Sequence, residues 1–200
     1  MPSQNEIIQH TEMVFEEQRK QLSILKNNVS NTYSITVLEN ILFEAIVLLY
    51  THRTVWAQHT FWSQYAQTEN LEEFAHAAYK QMINCTLVSI YTNLYFCIEG
   101  ALAEYLSEHK CHGDIISLFK KIDPKLENYE EIINGFQVLR CVRNSFHGNS
   151  GNYIFAYDDT LVHFNGKSYA FYKNKPITIS YEFLRDFIPC IADVYKKIFS

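Results

Sequence analysis

The chain is poor in the two residues that build turns, because its 200 residues include only six glycines and four prolines. It has no CxxC pair, and its five cysteines are odd in number and widely scattered. The N-terminal segment is rich in Gln and Glu and shows no secretory signal, so we expect reduced thiols in a cytoplasmic protein. These shortages exclude a disulfide-rich fold and favour long helices.

Positive charge is not in excess either. The chain has 17 Lys and Arg against 22 Asp and Glu, which gives a formal charge of −5. This balance excludes a surface coated in positive charge for general nucleic-acid binding. Residues 1–100 carry 5 basic and 10 acidic residues, whereas residues 101–200 carry 12 of each. An anionic ligand is therefore expected to meet the second half, at a local cluster.

Long uninterrupted apolar runs are also missing. The most apolar segment, residues 35–50, is interrupted by Glu39, Asn40 and Glu44. A membrane-spanning helix needs roughly 20 mostly apolar residues, so the segment is predicted to be a buried helix. No association with a membrane is expected.

Apolar residues recur with a helical period in six segments. The predicted helices cover residues 6–26, a run from Ser30 or Thr32 through Trp56, residues 71–108 behind an Asn70/Glu73 capping box, and residues 115–121, 129–147 and 181–199. Gly148 stands where a helix C-cap glycine belongs. The pattern predicts a helical bundle.

Aromatic and β-branched residues replace the helical period between the last two helices. Short strands are predicted at residues 153–157, 160–164 and 169–172, with Asn165-Gly166 as a strong hairpin signal. We therefore predict one mainly α domain over residues 1–200. Residues 1–31 form an N-terminal helical extension, and residues 153–172 form a β-hairpin or meander before the last helix.

Concentrated polar chemistry occurs in one segment, Arg140 to His147. Helical spacing places Arg140, Arg143 or Asn144, and His147 on one stripe, while Leu139, Val142 and Phe146 face the core. Arginines match phosphate oxygens, a histidine near neutral pKa can move a proton, and the amide can orient either group. The stripe thus predicts a phosphodiester site that needs no metal and no cofactor.

A purely structural role explains the same residues equally well. The two arginines and the helix-terminal histidine can pair with Glu130, Glu131 or the carbonyls of a neighbouring helix. Arg and His are common surface residues, so the stripe does not decide between these alternatives.

The segment resembles the signature of the HEPN superfamily. Members of this superfamily are helical-bundle domains that carry an arginine, four to six intervening residues and a histidine. Arg143-Asn144 and His147-Gly148 reproduce both dipeptides common in the family, and the resemblance extends over residues 33–200. Three residues separate Arg143 from His147, whereas six separate Arg140 from it. When the family pattern is aligned on Arg140, Cys141 stands where members of the family have a polar residue.

The resemblance implies metal-independent RNA cleavage through a 2′,3′-cyclic phosphate. His147 is then the acid/base, Arg140 or Arg143 stabilises the phosphate, and Asn144 completes the site. It also implies a homodimer, and a toxin or antiviral-defence effector whose partner is an antitoxin or another defence protein. Two alternatives stay open: a catalytically silent domain that binds RNA, nucleotide or protein, and a structural dimerising bundle.

Several other side chains are not expected to be functional. Adjacent Cys111 and His112 fit one tetrahedral metal ion poorly, even with His109 nearby. Boundary positions on long helices are predicted for His52, His59 and His76, core positions for Tyr91, Tyr95 and Phe96, and solvated strand edges for Lys167, Lys173 and Lys175.

Overall fold

Helices dominate the computed structural model, which describes residues 3–29, 32–58, 60–61, 70–107, 114–122, 124–148, 154–177 and 180–199. The elements are α1 (Gln4–Lys26), α2 (Tyr33–Thr51), a π-helical turn (His52–Trp56), α3 (Leu71–Tyr105), α4 (Ile115–Phe119), α5 (Tyr129–Gly148), β1 (Thr160–Phe164), β2 (Lys167–Phe171) and α6 (Tyr181–Phe199). The predicted class, mainly helical with a small antiparallel sheet before the last helix, is confirmed.

Side chains close the amino ends of four helices, and at α6 the Ser180 hydroxyl accepts from the Phe183 backbone N–H at 3.3 Å. Ser3 accepts a hydrogen bond from the Glu6 backbone N–H, and the Glu6 carboxylate accepts one from the Ser3 N–H, which is a capping box. At α3, the Asn70 side chain accepts from the Glu73 N–H, as predicted. Asp114 caps α4 in the same way. These bonds satisfy N–H groups that a helix end otherwise leaves unpaired.

The packing is organised around α3 and α6. α3 contacts α2, α4, α5 and α6, while α1 packs against α2 and α6. The ring of Phe187 on α6 lies 5.5 Å from that of Phe136 on α5 and 5.3 Å from that of Phe164 on β1. Gly135 permits this approach, because a Cβ there would lie 2.1 Å from the Phe187 ring. A glycine inside α5 is thus explained by close helix packing.

The first helix contributes to this same core. Ile8, Phe15 and Leu22 of α1 are fully buried. Burial of each such side chain is worth about 1.5–3 kcal/mol of transfer free energy. The segment predicted as an N-terminal extension is therefore packed into the bundle.

The two-stranded sheet is closed by a tight turn. Asn165 and Gly166 both have positive φ, 47° and 68°, which two-residue hairpin turns require and which Asn-Gly adopts readily. The register pairs Thr160 with Phe171 and Phe164 with Lys167. The hairpin signal in the sequence is confirmed.

The first of the three predicted strands is wrong. In its place Ile154 forms a single isolated bridge to Pro176, and Tyr153 lies outside the described residues. Phe155 bonds the backbone of Asn174 and Lys175, so this segment lies along the loop after β2. The segment resembles a strand in sequence because it is rich in aromatic residues. Phe155 is buried but Tyr157 is exposed, and the backbone pairs only locally.

Three helix ends also differ from the prediction. The last turn of the second helix is π-helical rather than α-helical. Thr32 occupies the N-cap of α2 without a side-chain bond, and Ser30 lies outside the described residues. Gly148 is the last residue of α5 itself instead of following the helix.

Two helical segments are long and apolar enough to cross a membrane by length and composition alone. Among the described residues these are Tyr33–Trp56, whose 18-residue apolar window is 33% buried, and Glu73–Tyr105, whose window is 61% buried. Core helices of water-soluble proteins have the same composition. α2 packs its Leu38, Leu42 and Leu49 side against the bundle, and Glu39 pairs with Lys26 of α1 at 3.0 Å.

His52 is fully buried, so its predicted boundary position is wrong. Its Nδ1 lies 2.5 Å from the Tyr181 hydroxyl, and its ring meets the edge of the Tyr79 ring at 4.9 Å. Its Nε2 has no hydrogen-bond partner among the described residues. Burial lowers the pKa of His52 to about 4, which keeps the ring neutral at physiological pH.

Candidate functional site

A cavity lies beside the Arg140–His147 segment. We call it the Arg143 cleft; its volume is about 640 Å³, and α3, α5 and the segment before β1 surround it. Its lining residues are Tyr95, Phe96, Glu99, Asp114, Gln137, Arg140, Cys141, Arg143, Asn144, Phe155, Tyr157 and Thr160. Three of the four predicted site residues, Arg140, Arg143 and Asn144, therefore meet at one cavity.

The helical stripe is arranged as its period predicts. Leu139 and Val142 are buried at 0% and 1% exposure, whereas Arg140, Arg143 and Asn144 are partly exposed. α5 packs against α3 and β1 and so holds the apolar side in the core. The polar side is left facing the cleft.

Arg143 is held by aromatic rings. The central carbon of its guanidinium lies 5.4 Å from the ring centroid of Tyr95 and 5.3 Å from that of Phe96. Its Nη1 donates to the Asn144 side-chain oxygen at 2.9 Å, and its buried Nε has no partner among the described residues. No carboxylate of the described residues forms an ion pair with Arg143. Cation–π contacts orient the group and leave its positive charge uncompensated.

Arg140 has a different environment. Its Nη1 donates to the Asp114 carboxylate at 2.5 Å, and both side chains are about one-third exposed, at 32% and 33%. Asp114 is also the N-cap of α4. The acid that pairs with Arg140 is thus Asp114, and not Glu130 or Glu131, which the structural alternative offered as possible partners. The ion pair ties α5 to the start of α4 and neutralises the charge of Arg140.

Asn144 and His147 follow Arg143 along α5. The amide oxygen of Asn144 accepts from Arg143, so the amide orients the guanidinium as predicted. The backbone of α5 stays helical through His147 and Gly148, which places the histidine four residues after Arg143 on the same face. The side chain of His147 lies outside the described residues.

The cleft is not uniformly basic. Glu99 lines it one turn from Tyr95, whose hydroxyl donates to the Glu99 carboxylate at 3.5 Å. With Asp114 it supplies two carboxylates beside two guanidiniums. Tyr95 contacts both Glu99 and Arg143, so an anion in the cleft would meet carboxylates as well as the guanidinium.

Cys141 is an unsuitable nucleophile although it lines the cleft. The residue is 3% exposed, and burial raises the pKa of its thiol to about 11, against the opposing effect of Arg140. The thiolate that nucleophilic chemistry needs is scarce at neutral pH.

Metal ligands are not clustered in the described part of the chain, where no group of three His, Cys, Asp or Glu side chains meets. His109, Cys111 and His112 lie outside the described residues, as does His59.

The three hairpin lysines are exposed, and two of them are paired. Lys167 contacts Asp186 at 3.0 Å, and Lys173 contacts Asp158 at 2.9 Å. The latter pair lowers the pKa of Asp158 through its hydrogen bond to Lys173. Such surface pairs contribute little, about 0–1 kcal/mol, and they reduce the positive charge available to a polyanion.

Sequence reasoning missed the aromatic wall of the cleft. Tyr91 and Tyr95 are buried, as expected, but Phe96 is 42% exposed, so its predicted core position is wrong. Tyr157, placed in a predicted strand, is 52% exposed at the same cleft. The adjacency of Tyr95 and Phe96 was no signal, since the adjacent residues Leu94 and Tyr95 of the same helix are both buried.

Comparisons with protein-family models, curated proteins and solved structures gave no match to this chain. The HEPN resemblance therefore rests on its motif residues and stays a prediction.

Proposed function

We propose that the protein is a metal-independent, HEPN-like endoribonuclease whose phosphate-binding group is Arg143. The observation that supports this proposal most is the environment of that guanidinium. Two aromatic rings and an amide fix it at the edge of a large cleft, and no carboxylate of the described residues neutralises it. A fixed, uncompensated guanidinium is suited to stabilise charge that develops on a phosphate.

The proposed reaction uses the substrate's own hydroxyl. The ribose 2′-oxygen attacks the adjacent phosphorus while its proton passes to a base, and the bond from phosphorus to the 5′-oxygen breaks. The leaving oxygen takes up a proton from an acid. The products are a 2′,3′-cyclic phosphate and a 5′-hydroxyl. His147 is proposed as acid/base, and Arg143 stabilises the pentacovalent phosphate.

Two copies of the chain are proposed to form the complete site. One imidazole cannot at once accept the first proton and donate the second, whereas a two-fold dimer supplies two. Light scattering at tens of micromolar should report a dimer, and a strict monomer would contradict the composite site.

The activity test is cleavage of RNA by purified protein in EDTA. We expect products with 2′,3′-cyclic phosphate ends, and a loss of at least about 100-fold in rate for His147→Ala, as is typical of a lost acid or base. Arg143→Ala should lose more than Arg140→Ala, because Arg140 is already paired with Asp114. Equal effects of the two arginines, or cleavage that EDTA abolishes, would contradict the proposal.

A catalytically silent binding domain is the second candidate. The observation that favours it is the ion pair between Arg140 and Asp114, which removes one of the two cations from the motif. Such a domain would bind RNA through Arg143 without cutting it. Binding that Arg143→Ala weakens, together with no cyclic phosphate product at any enzyme concentration, would select this alternative.

A further inference from the structure

We infer that the Arg143 cleft holds an unpaired nucleobase against the exposed rings of Phe96 and Tyr157, so that its RNA ligand is single-stranded. This inference rests on the proposed function and names the class of RNA that the same site takes. It concerns two aromatic residues of the cleft that are about half-exposed, Phe96 and Tyr157.

Phe96 is the first of these residues. It is 42% exposed, although Tyr95 before it and Cys97 after it are 4% and 8% exposed. Its ring lies 5.3 Å from the guanidinium carbon of Arg143 and forms an edge-to-face contact with Tyr95 at 5.7 Å. The exposed ring is thus fixed beside the one cation of the cleft that lacks a carboxylate partner in the described residues.

Tyr157 is the second. It is 52% exposed and lines the same cleft from the segment before β1. Its ring lies 5.6 Å from the ring of Phe155, which is 2% exposed and anchored in the core. Two half-exposed rings from different parts of the chain therefore share one cavity.

An exposed aromatic ring next to a fixed cation suits one ligand chemistry, a flat π-system joined to an anion. A nucleotide has both parts, because its base stacks on rings while its phosphate meets arginine. The cavity volume of about 640 Å³ falls within the range typical of small-molecule sites. In a duplex the bases are stacked inside the helix and cannot reach such rings, so the rings select unpaired RNA.

The absence of excess positive charge agrees with this ligand. The chain carries a net charge of −5, and Lys167 and Lys173 of the hairpin are paired with acids. A protein that bound long RNA through the phosphates of the RNA backbone would need many unpaired cationic side chains. Contact with one or two unpaired nucleotides at a cleft needs only a few.

Binding can be measured separately from cleavage with 2′-O-methyl RNA, which lacks the attacking hydroxyl. The probes are a fluorescent single strand and the same strand annealed to its complement, both in EDTA. We expect the single strand to bind at least tenfold more tightly. Stacking of one base is worth about 1–3 kcal/mol, so Phe96→Ala and Tyr157→Ala should each weaken its binding by about 5- to 150-fold.

Phe43→Ala is the matched control. Phe43 is 50% exposed on α2 and also lies under an arginine, Arg19, at 4.9 Å, but it does not line the cleft. Its replacement should leave RNA affinity unchanged. Phe96→Trp should retain binding, because a larger ring stacks at least as well.

An abasic series separates stacking from a merely structural effect. Removing one base at a time from the single strand should reveal a position whose loss weakens binding to the wild-type protein. With Tyr157→Ala, the same abasic position should cost less than it does in the wild-type protein, because one of the two stacking rings is already gone. A structural defect would weaken every probe alike and leave the abasic penalty in place.

Equal affinity for single strand and duplex, or unchanged affinity in both alanine variants, overturns the inference. If the wild-type protein still cleaves RNA in EDTA, the proposed function survives that result. If the protein neither binds nor cleaves RNA of either form, both the inference and the proposed function fail.

Discussion

The buried histidine makes the stability of this protein depend on pH in a defined direction. Burial lowers the pKa of His52 to about 4 in the folded chain, against 6.5 for the exposed group. At pH values between about 4 and 6.5, His52 therefore binds a proton in the unfolded chain but not in the folded chain. The stabilisation is complete above pH 6.5 and is lost progressively as pH falls towards 4.

The contacts around the ring explain why the proton is rejected. Nδ1 of the imidazole and the Tyr181 hydroxyl share a hydrogen bond whose donor depends on the tautomer of the ring. A protonated ring would carry a hydrogen on both nitrogens, and Nε2 has no acceptor among the described residues. The charge would also be buried at 0% exposure.

The magnitude follows from linkage between protonation and folding. A shift from 6.5 to about 4 corresponds to a total of about 3 kcal/mol, of which about 2 kcal/mol is lost between about pH 7.5 and pH 5. For a small domain this is a large part of a stability of about 5–15 kcal/mol.

The assay is urea unfolding followed by tryptophan fluorescence across this pH range, for wild type and for His52→Phe. The variant keeps a ring but cannot titrate, so its free energy of unfolding should fall by about 2 kcal/mol less than that of the wild type. His163→Gln is the control, because His163 is exposed on β1 and its removal should preserve the wild-type slope.

Identical slopes for wild type and His52→Phe would refute this argument. If the variant does not fold, NMR titration of the His52 ring in the wild-type protein replaces the unfolding comparison. A ring that titrates near 6.5 in the folded state would refute the argument equally.

Three further predictions follow from packing and ion pairs. Gly135→Ala should destabilise the protein by about 1–3 kcal/mol in chemical unfolding, since the added methyl group clashes with Phe187; a rise in stability would contradict this packing. In a double-mutant cycle, Arg140→Ala and Asp114→Asn should couple by no more than about 1 kcal/mol, and larger coupling would show that solvent screens the pair less than its exposure indicates. Among the described cysteines, the exposed Cys85 should be alkylated first, as read by peptide mass spectrometry, and equal labelling of the buried ones would contradict their burial.

Local signals in the sequence were sufficient for most element boundaries. The Asn70/Glu73 cap starts α3 where it was predicted, and Asn165-Gly166 closes the hairpin. Both rest on bonds and dihedral angles within a few residues, so no knowledge of the fold was needed. The predicted strand at residues 153–157 failed because aromatic residues occur equally in a loop packed on a core.

Long-range contacts could not be predicted in the same way. Asp114 lies 26 residues before Arg140 and meets it only because α4 packs against α5. The burial of His52 likewise depends on Tyr181, which is 129 residues away. Periodicity shows which face a residue occupies, but the partner of that face is decided by the packing of whole helices.

The two arginines of the motif illustrate this limit and show what packing adds. By helical period they are equivalent, and by resemblance each satisfies half of the family pattern, Arg140 in spacing and Arg143 in its asparagine neighbour. Their surroundings separate them, since a carboxylate neutralises Arg140 while rings and the Asn144 amide hold Arg143. The short spacing between Arg143 and His147 is compatible with the proposed function. Residues four apart on a helix have Cβ atoms about 5–6 Å from each other, close enough for both side chains to reach one phosphate.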